Sequence, residues 1–147
     1  MDPAIVIEAG TGVIRLGDRD RLLPWEPLDA IAPRVADLVR HRQDFGTGYE
    51  WLYLHKLSLG GQPAHLSLCF ERKRLEMANL NVALPDARDG WPGKAEMDAE
   101  IAFVRAALAG MIGFKPTASS MSFGWGSVWS DYDPKADMAS SGLRYAR

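Results

Sequence analysis

The spacing of apolar and polar positions changes several times along the chain, and each change marks an element. Ile5, Val6 and Ile7 are β-branched, Gly10-Thr11-Gly12 follows, and a second apolar run covers Val13 to Leu16, which predicts two short strands around a glycine turn. Asp18 to Glu26 is polar and ends in Pro24-Trp25-Glu26-Pro27, which reads as a connector. Leu28, Ile31, Val35, Leu38 and Val39 then form a stripe at helical spacing, with Asp29, Arg34, Asp37 and Arg40 on the other side. Pro33 has to fall in the first turn of that helix or bend it.

From Tyr49 the period becomes two. Tyr49 to Leu59, Ala64 to Glu71 and Leu75 to Leu84 read as a three-strand meander, turned by Gly60-Gly61 and by Arg72-Lys73-Arg74. In the middle strand Ala64, Leu66, Leu68 and Phe70 share one face, and His65, Ser67, Cys69 and Glu71 share the other, so one face packs and the other is more polar. The link Pro85 to Gly93 leads to a second helix with the regular stripe Met97, Ile101, Val104, Leu108 and Met111. Acidic residues crowd its start, where the helix dipole favours them, and Gly113 is a natural stop. Ser120 to Ser130 and Met138 to Tyr145 complete the pattern as a terminal hairpin turned at Asp131-Tyr132-Asp133-Pro134-Lys135.

Without βαβ alternation, this order predicts an α+β fold: an antiparallel sheet made of the three-strand meander and the C-terminal hairpin, with two helices packed on one face. A length of 147 residues and 47% hydrophobic composition fit a single domain over 1–147. Seventeen basic against nineteen acidic residues, evenly divided between the halves, leave no positive field to attract nucleic acid or anionic lipid. One cysteine permits no internal disulfide, and Ala4 to Ile7 is too short for a signal core or a membrane span, which points to the cytoplasm.

Cys69 and His65 share a strand face, but four residues separate them by roughly 13 Å, too far for a thiol–imidazole pair. Cys69 reads better as a small buried residue than as a nucleophile. A two-residue Gly60-Gly61 turn places His55 and His65 on opposite faces, where they cannot share a metal, although a one-residue shift would reverse this. Asp131, Asp133 and Asp137 lack the glycine and glutamate of a calcium loop and suit a turn. Gly10-Thr11-Gly12, Gly46-Thr47-Gly48 and Gly124-Trp125-Gly126 lack the context of a phosphate cradle. Glu96, Asp98 and Glu100 read as a solvated helix face. No catalytic constellation emerges, so neither an enzyme nor a cofactor or metal is assigned.

What stands out is aromatic. Trp25, Trp91, Trp125, Trp129, Tyr132 and Tyr145 lie near turns or on the last hairpin, and Phe123, Trp125 and Trp129 are expected on one strand face. Bordered by Asp131 and Asp133, part of this set suits a protein-binding patch. The stretch Trp125-Gly126-Ser127-Val128-Trp129-Ser130-Asp131-Tyr132-Asp133-Pro134-Lys135, closed by Leu143-Arg144-Tyr145, resembles the ending of small uncharacterised bacterial proteins encoded beside secreted toxins and regarded as their immunity proteins. The chain departs from them at Ala136-Asp137-Met138, which replaces a glycine-rich link.

That resemblance implies a non-catalytic inhibitor that binds one cognate protein toxin. A monomer or weak homodimer is expected. Its expected contact residues are Trp129, Asp131, Tyr132 and Asp133, then Asp86, Asp89 and Trp91. The alternatives are a small-molecule-binding domain or enzyme, with a pocket between sheet and helices and His55 or His65 as its polar group, and a subunit that self-associates through a sheet edge.

Overall fold

The computed structural model describes residues 1–85 and 93–147. The N-terminal stretch forms a small antiparallel sheet of β1 (Ile5–Ile7), β2 (Ile14–Leu16) and β3 (Asp20–Leu22). The third strand lies inside the supposed polar connector: after Gly17 the chain doubles back, pairs Asp20 with Leu16 and buries Leu22 completely.

The first expected helix is mostly absent. It shrinks to α1, one turn over Leu28–Ile31, followed by a 3-10 turn at Ala36–Leu38. Pro33 has no amide hydrogen to give to an earlier carbonyl, and its ring crowds the preceding turn, so the helix stops there. The apolar stripe still does its packing, since Leu28, Ile31, Val35 and Leu38 are all buried. Val39 then opens an edge strand, β4 (Val39–Asp44), that period analysis missed because almost all of its residues are polar and exposed.

The expected meander is present as β5 (Tyr49–Leu59), β6 (Gln62–Glu71) and β7 (Arg74–Val82). Both of its turns are two-residue loops with two positive φ angles, 57° and 84° at Gly60-Gly61 and 48° and 68° at Arg72-Lys73, the twist that right-handed strands require. The long helix α2 (Lys94–Ile112) ends at Gly113 with φ 70°, a left-handed cap. The expected strand Ser120 to Ser130 is in fact two, β8 (Ser120–Phe123) and β9 (Gly126–Asp133), folded back at Gly124-Trp125, and β10 (Met138–Tyr145) returns beside β7.

The large sheet is therefore antiparallel and seven-stranded, in the order β4-β5-β6-β7-β10-β9-β8. One face is covered by the small sheet, α1 and α2, and only α2 is a long helix, so the expectation of two helices on one face is corrected: three short strands do much of the covering. Ile5, Ile7, Leu16, Leu54, Leu66, Leu68, Val104, Leu108 and Leu143 join one apolar core between the layers. Each fully buried aliphatic side chain there contributes roughly 1.5–3 kcal/mol of transfer free energy.

The C-terminal strand ties the layers together. The Tyr145 hydroxyl donates to the Gly12 carbonyl at 2.7 Å in a buried hydrogen bond, and the Trp125 Nε1 donates to the Ala9 carbonyl at 2.9 Å. Burial raises the Tyr145 phenol above its ordinary range. Among the described residues no helix is long and apolar enough to cross a membrane.

Candidate functional site

The register fixes what the other face of the large sheet presents. One row runs from His41 through Tyr53, Ser67 and Asn79 to Gly142, Trp129 and Ser120. The neighbouring row runs from Gln43 through Trp51, Cys69 and Met77 to Arg144, Ser127 and Ser122. No described element packs on this side, and most of these residues remain half-buried or exposed. Alternation produces it: Leu52, Leu54, Leu66 and Leu68 point into the core, so their neighbours must point out.

The open face is aromatic at the β4–β5 side and again at β9. His41 stacks on Tyr53 with ring centroids 5.6 Å apart, and Tyr53 lies 5.9 Å from Trp51 with the planes only 10° apart. Tyr49 and Phe45 extend the patch as exposed rings. Trp129 donates its Nε1 hydrogen to the Ser140 hydroxyl at 3.0 Å and lies over Gly142, where an added Cβ would sit 2.8 Å from the indole Cζ2. Glycine is therefore required at 142 for close approach, since the indole occupies the space of a side chain.

Charge on this face is separated. Arg40, at a bulge in β4, and all three histidines occupy the β4–β6 corner. Burial chiefly lowers the His65 pKa, helped by the positive charges of Arg40 and His55. At the opposite side Asp131 and Asp133 belong to the open face of β9, and Asp131 meets Arg105 of α2 only at 3.5 Å. Near the Tyr145 end, Glu76 is almost fully buried beneath Arg144 and Arg147, and Glu71 pairs with Arg147.

The expected contact residues are divided by this geometry. Trp129, Asp131 and Asp133 alternate along β9 and share the open face, whereas Tyr132 points to the other side of the ribbon, 42% exposed, with its hydroxyl hydrogen-bonded to Asp137. Asp133 also accepts the Lys135 amide at 3.0 Å, as its turn role requires. Asp86, Asp89 and Trp91 lie outside the described residues. Phe123 and Trp125 do not share a face with Trp129; the turn at Gly124-Trp125 sends both to the covered side, where they stack at 5.0 Å and serve the core. Trp25 is likewise structural, donating to the Ala146 carbonyl at 2.9 Å.

Gly60-Gly61 is a two-residue loop, yet a bulge at His55-Lys56 inserts an extra residue, so His55 and His65 occupy the same face, contrary to the expected opposition. That face is the one away from α2, so neither histidine lines a pocket between sheet and helices. Among the described residues no three His, Cys, Asp or Glu side chains converge as a metal site. Cys69 is 2% exposed, and burial with nearby Glu76 pushes its thiol up to about 11, the opposite of an activated nucleophile. Glu100 is not a solvated residue: its carboxylate accepts the Val82 amide at 3.3 Å, and burial raises its pKa. A shallow open depression lined by Asp2, Pro3, Asp18, Arg19 and Ser58 lies at the N-terminal side of the molecule, away from these groups.

Sequence reasoning missed the central part of the face, namely Trp51, Tyr53, Asn79 and Gly142. The signal was available for two of them, because Tyr49, Trp51 and Tyr53 alternate with Leu52 and Leu54, and large aromatics on the polar side of a strand mark a surface with work to do. The chain matches no family model, no curated protein and no solved structure.

Proposed function

We propose that this chain is a non-catalytic protein-binding domain that takes its partner on the open face of the large sheet, and that the partner is a bacterial toxin neutralised in the manner of an immunity protein. The observation that carries the reading is a broad sheet face, free of any described covering element, on which Trp51, Tyr53 and Trp129 stand half-exposed. Rigid aromatic side chains dominate the energetics of tight interfaces because they bury much area at little conformational cost. Asp131 and Asp133 at one end add negative charge that suits a basic surface on the partner and steers its approach. The resemblance of the C-terminal hairpin to toxin-associated proteins supports the choice of toxin over other partners.

The test is protection. Cells expressing a toxin encoded beside this gene should survive when the chain is co-expressed, and the Trp129→Ala/Asp131→Ala variant should protect poorly while folding normally. A metabolic operon in place of a toxin gene, or full protection by that variant, overturns the reading.

A further inference from the structure

We infer that the free protein pairs with a second copy of itself, open face to open face. β7 is the middle strand of the seven, so a twofold axis lying in the interface along β7 sets β5 of one copy over β9 of the other, β6 over β10 and β4 over β8. Under that operation the rows stay in register. Tyr53 and the small Ser67 come over the Trp129 indole, which reaches across Gly142, and the broad Trp51 comes over the small Ser127. Packed sheets cross at about 30°, which shifts partners on the outer strands by up to about one row and leaves the correspondence between corners intact.

Charge makes the same match. One corner holds the cation Arg40 with the polar rings of His41, His55 and His65 on β4 to β6, and the acidic side holds Asp131 and Asp133 on β9. The axis brings each corner over its opposite in the second copy, whereas pairing with the sheets related by a simple parallel displacement would not. Within one copy Asp131 is left 54% exposed with its cationic neighbour at 3.5 Å, so it retains capacity for a closer partner. Arg144 lies over Cys69 in this arrangement, away from the corners.

The size is adequate. Seven strands about 4.8 Å apart, with eight residues in β9 and β10 rising about 3.3 Å each, outline a face of roughly 800–900 Å² per copy. That equals the roughly 800 Å² per partner of a standard stable interface. The inference concerns the protein without any foreign partner, so it stands or falls apart from the toxin reading.

Sedimentation equilibrium of the full chain over a micromolar concentration series tests it. The expected result is a mass that approaches twice 16.2 kDa with rising concentration. Ser67→Arg, which places a charged side chain at the centre of the face, should weaken association by at least about tenfold, with the circular dichroism spectrum unchanged. Arg40→Asp and Asp131→Arg should each weaken it, and the double variant should recover most of the loss. A mass of 16.2 kDa at every concentration overturns the inference. So does a dimer that is indifferent to Ser67→Arg and lost in Ser122→Pro, because that pattern indicates pairing through the β8 edge.

Discussion

Replacing Tyr145 by phenylalanine removes one oxygen from the place where the small N-terminal sheet meets the C-terminal strand. The ring is 2% exposed and its edge contact with Trp125, centroids 6.0 Å apart, survives the change. What is lost is the hydrogen bond to the Gly12 carbonyl, which leaves that buried acceptor without its partner. An unsatisfied buried polar group costs about 1–3 kcal/mol. For a chain of this size 1 kcal/mol lowers Tm by about 3–4 °C, so Tyr145→Phe should melt roughly 3–10 °C below the wild type. Urea unfolding followed by tryptophan fluorescence measures the free energy directly. Trp25→Phe is the comparison, because its Nε1 bond to the Ala146 carbonyl is exposed and water can replace it. A loss at Tyr145→Phe below a few tenths of a kcal/mol, or no larger than that of Trp25→Phe, would refute the claim that this bond joins the two sheets.

Gly142→Ala should destabilise the fold by roughly 1–3 kcal/mol in the same assay, since the new methyl group meets the Trp129 indole and the Ala78 carbonyl. Glu100→Gln should raise Tm at pH 7: burial raises the carboxyl pKa in the fold, so the folded state disfavours the carboxylate and stability falls on going from acid to neutral pH, a loss that the neutral amide avoids. The two proteins should converge below about pH 4, where the carboxyl is protonated in both folded and unfolded chains. The Cys69 thiol should react slowly with a thiol reagent in the native protein and fully in denaturant, because it is both buried and held protonated; fast native reaction would show that the face opens at β6.

The parts of the fold legible in the sequence are those where one local rule dominates. Period-two alternation located β5, β6 and β7 because each has one face in the core, and the stripe from Met97 to Leu108 located α2 for the same reason. The failures lie where local rules compete. Val35 and Leu38 are buried at helical spacing although no α-helix contains them, because after Pro33 the chain wraps the core in turns and a single 3-10 turn. β4 carries no alternation, since an edge strand exposed on nearly every residue need not alternate. The bulge at His55-Lys56 moved a histidine to the other face, and a one-residue insertion of this kind leaves no reliable mark in a single sequence. Of the proposed site, the sequence singles out Trp129, Asp131 and Asp133, whereas the aromatic group on β5 becomes visible only when register sets the strands side by side.

The proposed function puts partner binding on the open face of the large sheet and not on the layer that covers its other side. Protection against the neighbouring toxin, compared between two paired variants, tests it most directly: Trp129→Ala/Asp131→Ala on the open face, and Ala102→Glu/Ala106→Glu on exposed positions of α2. The first pair should lose protection and the second keep it, with both folded. Protection kept by the first pair and lost by the second would contradict it.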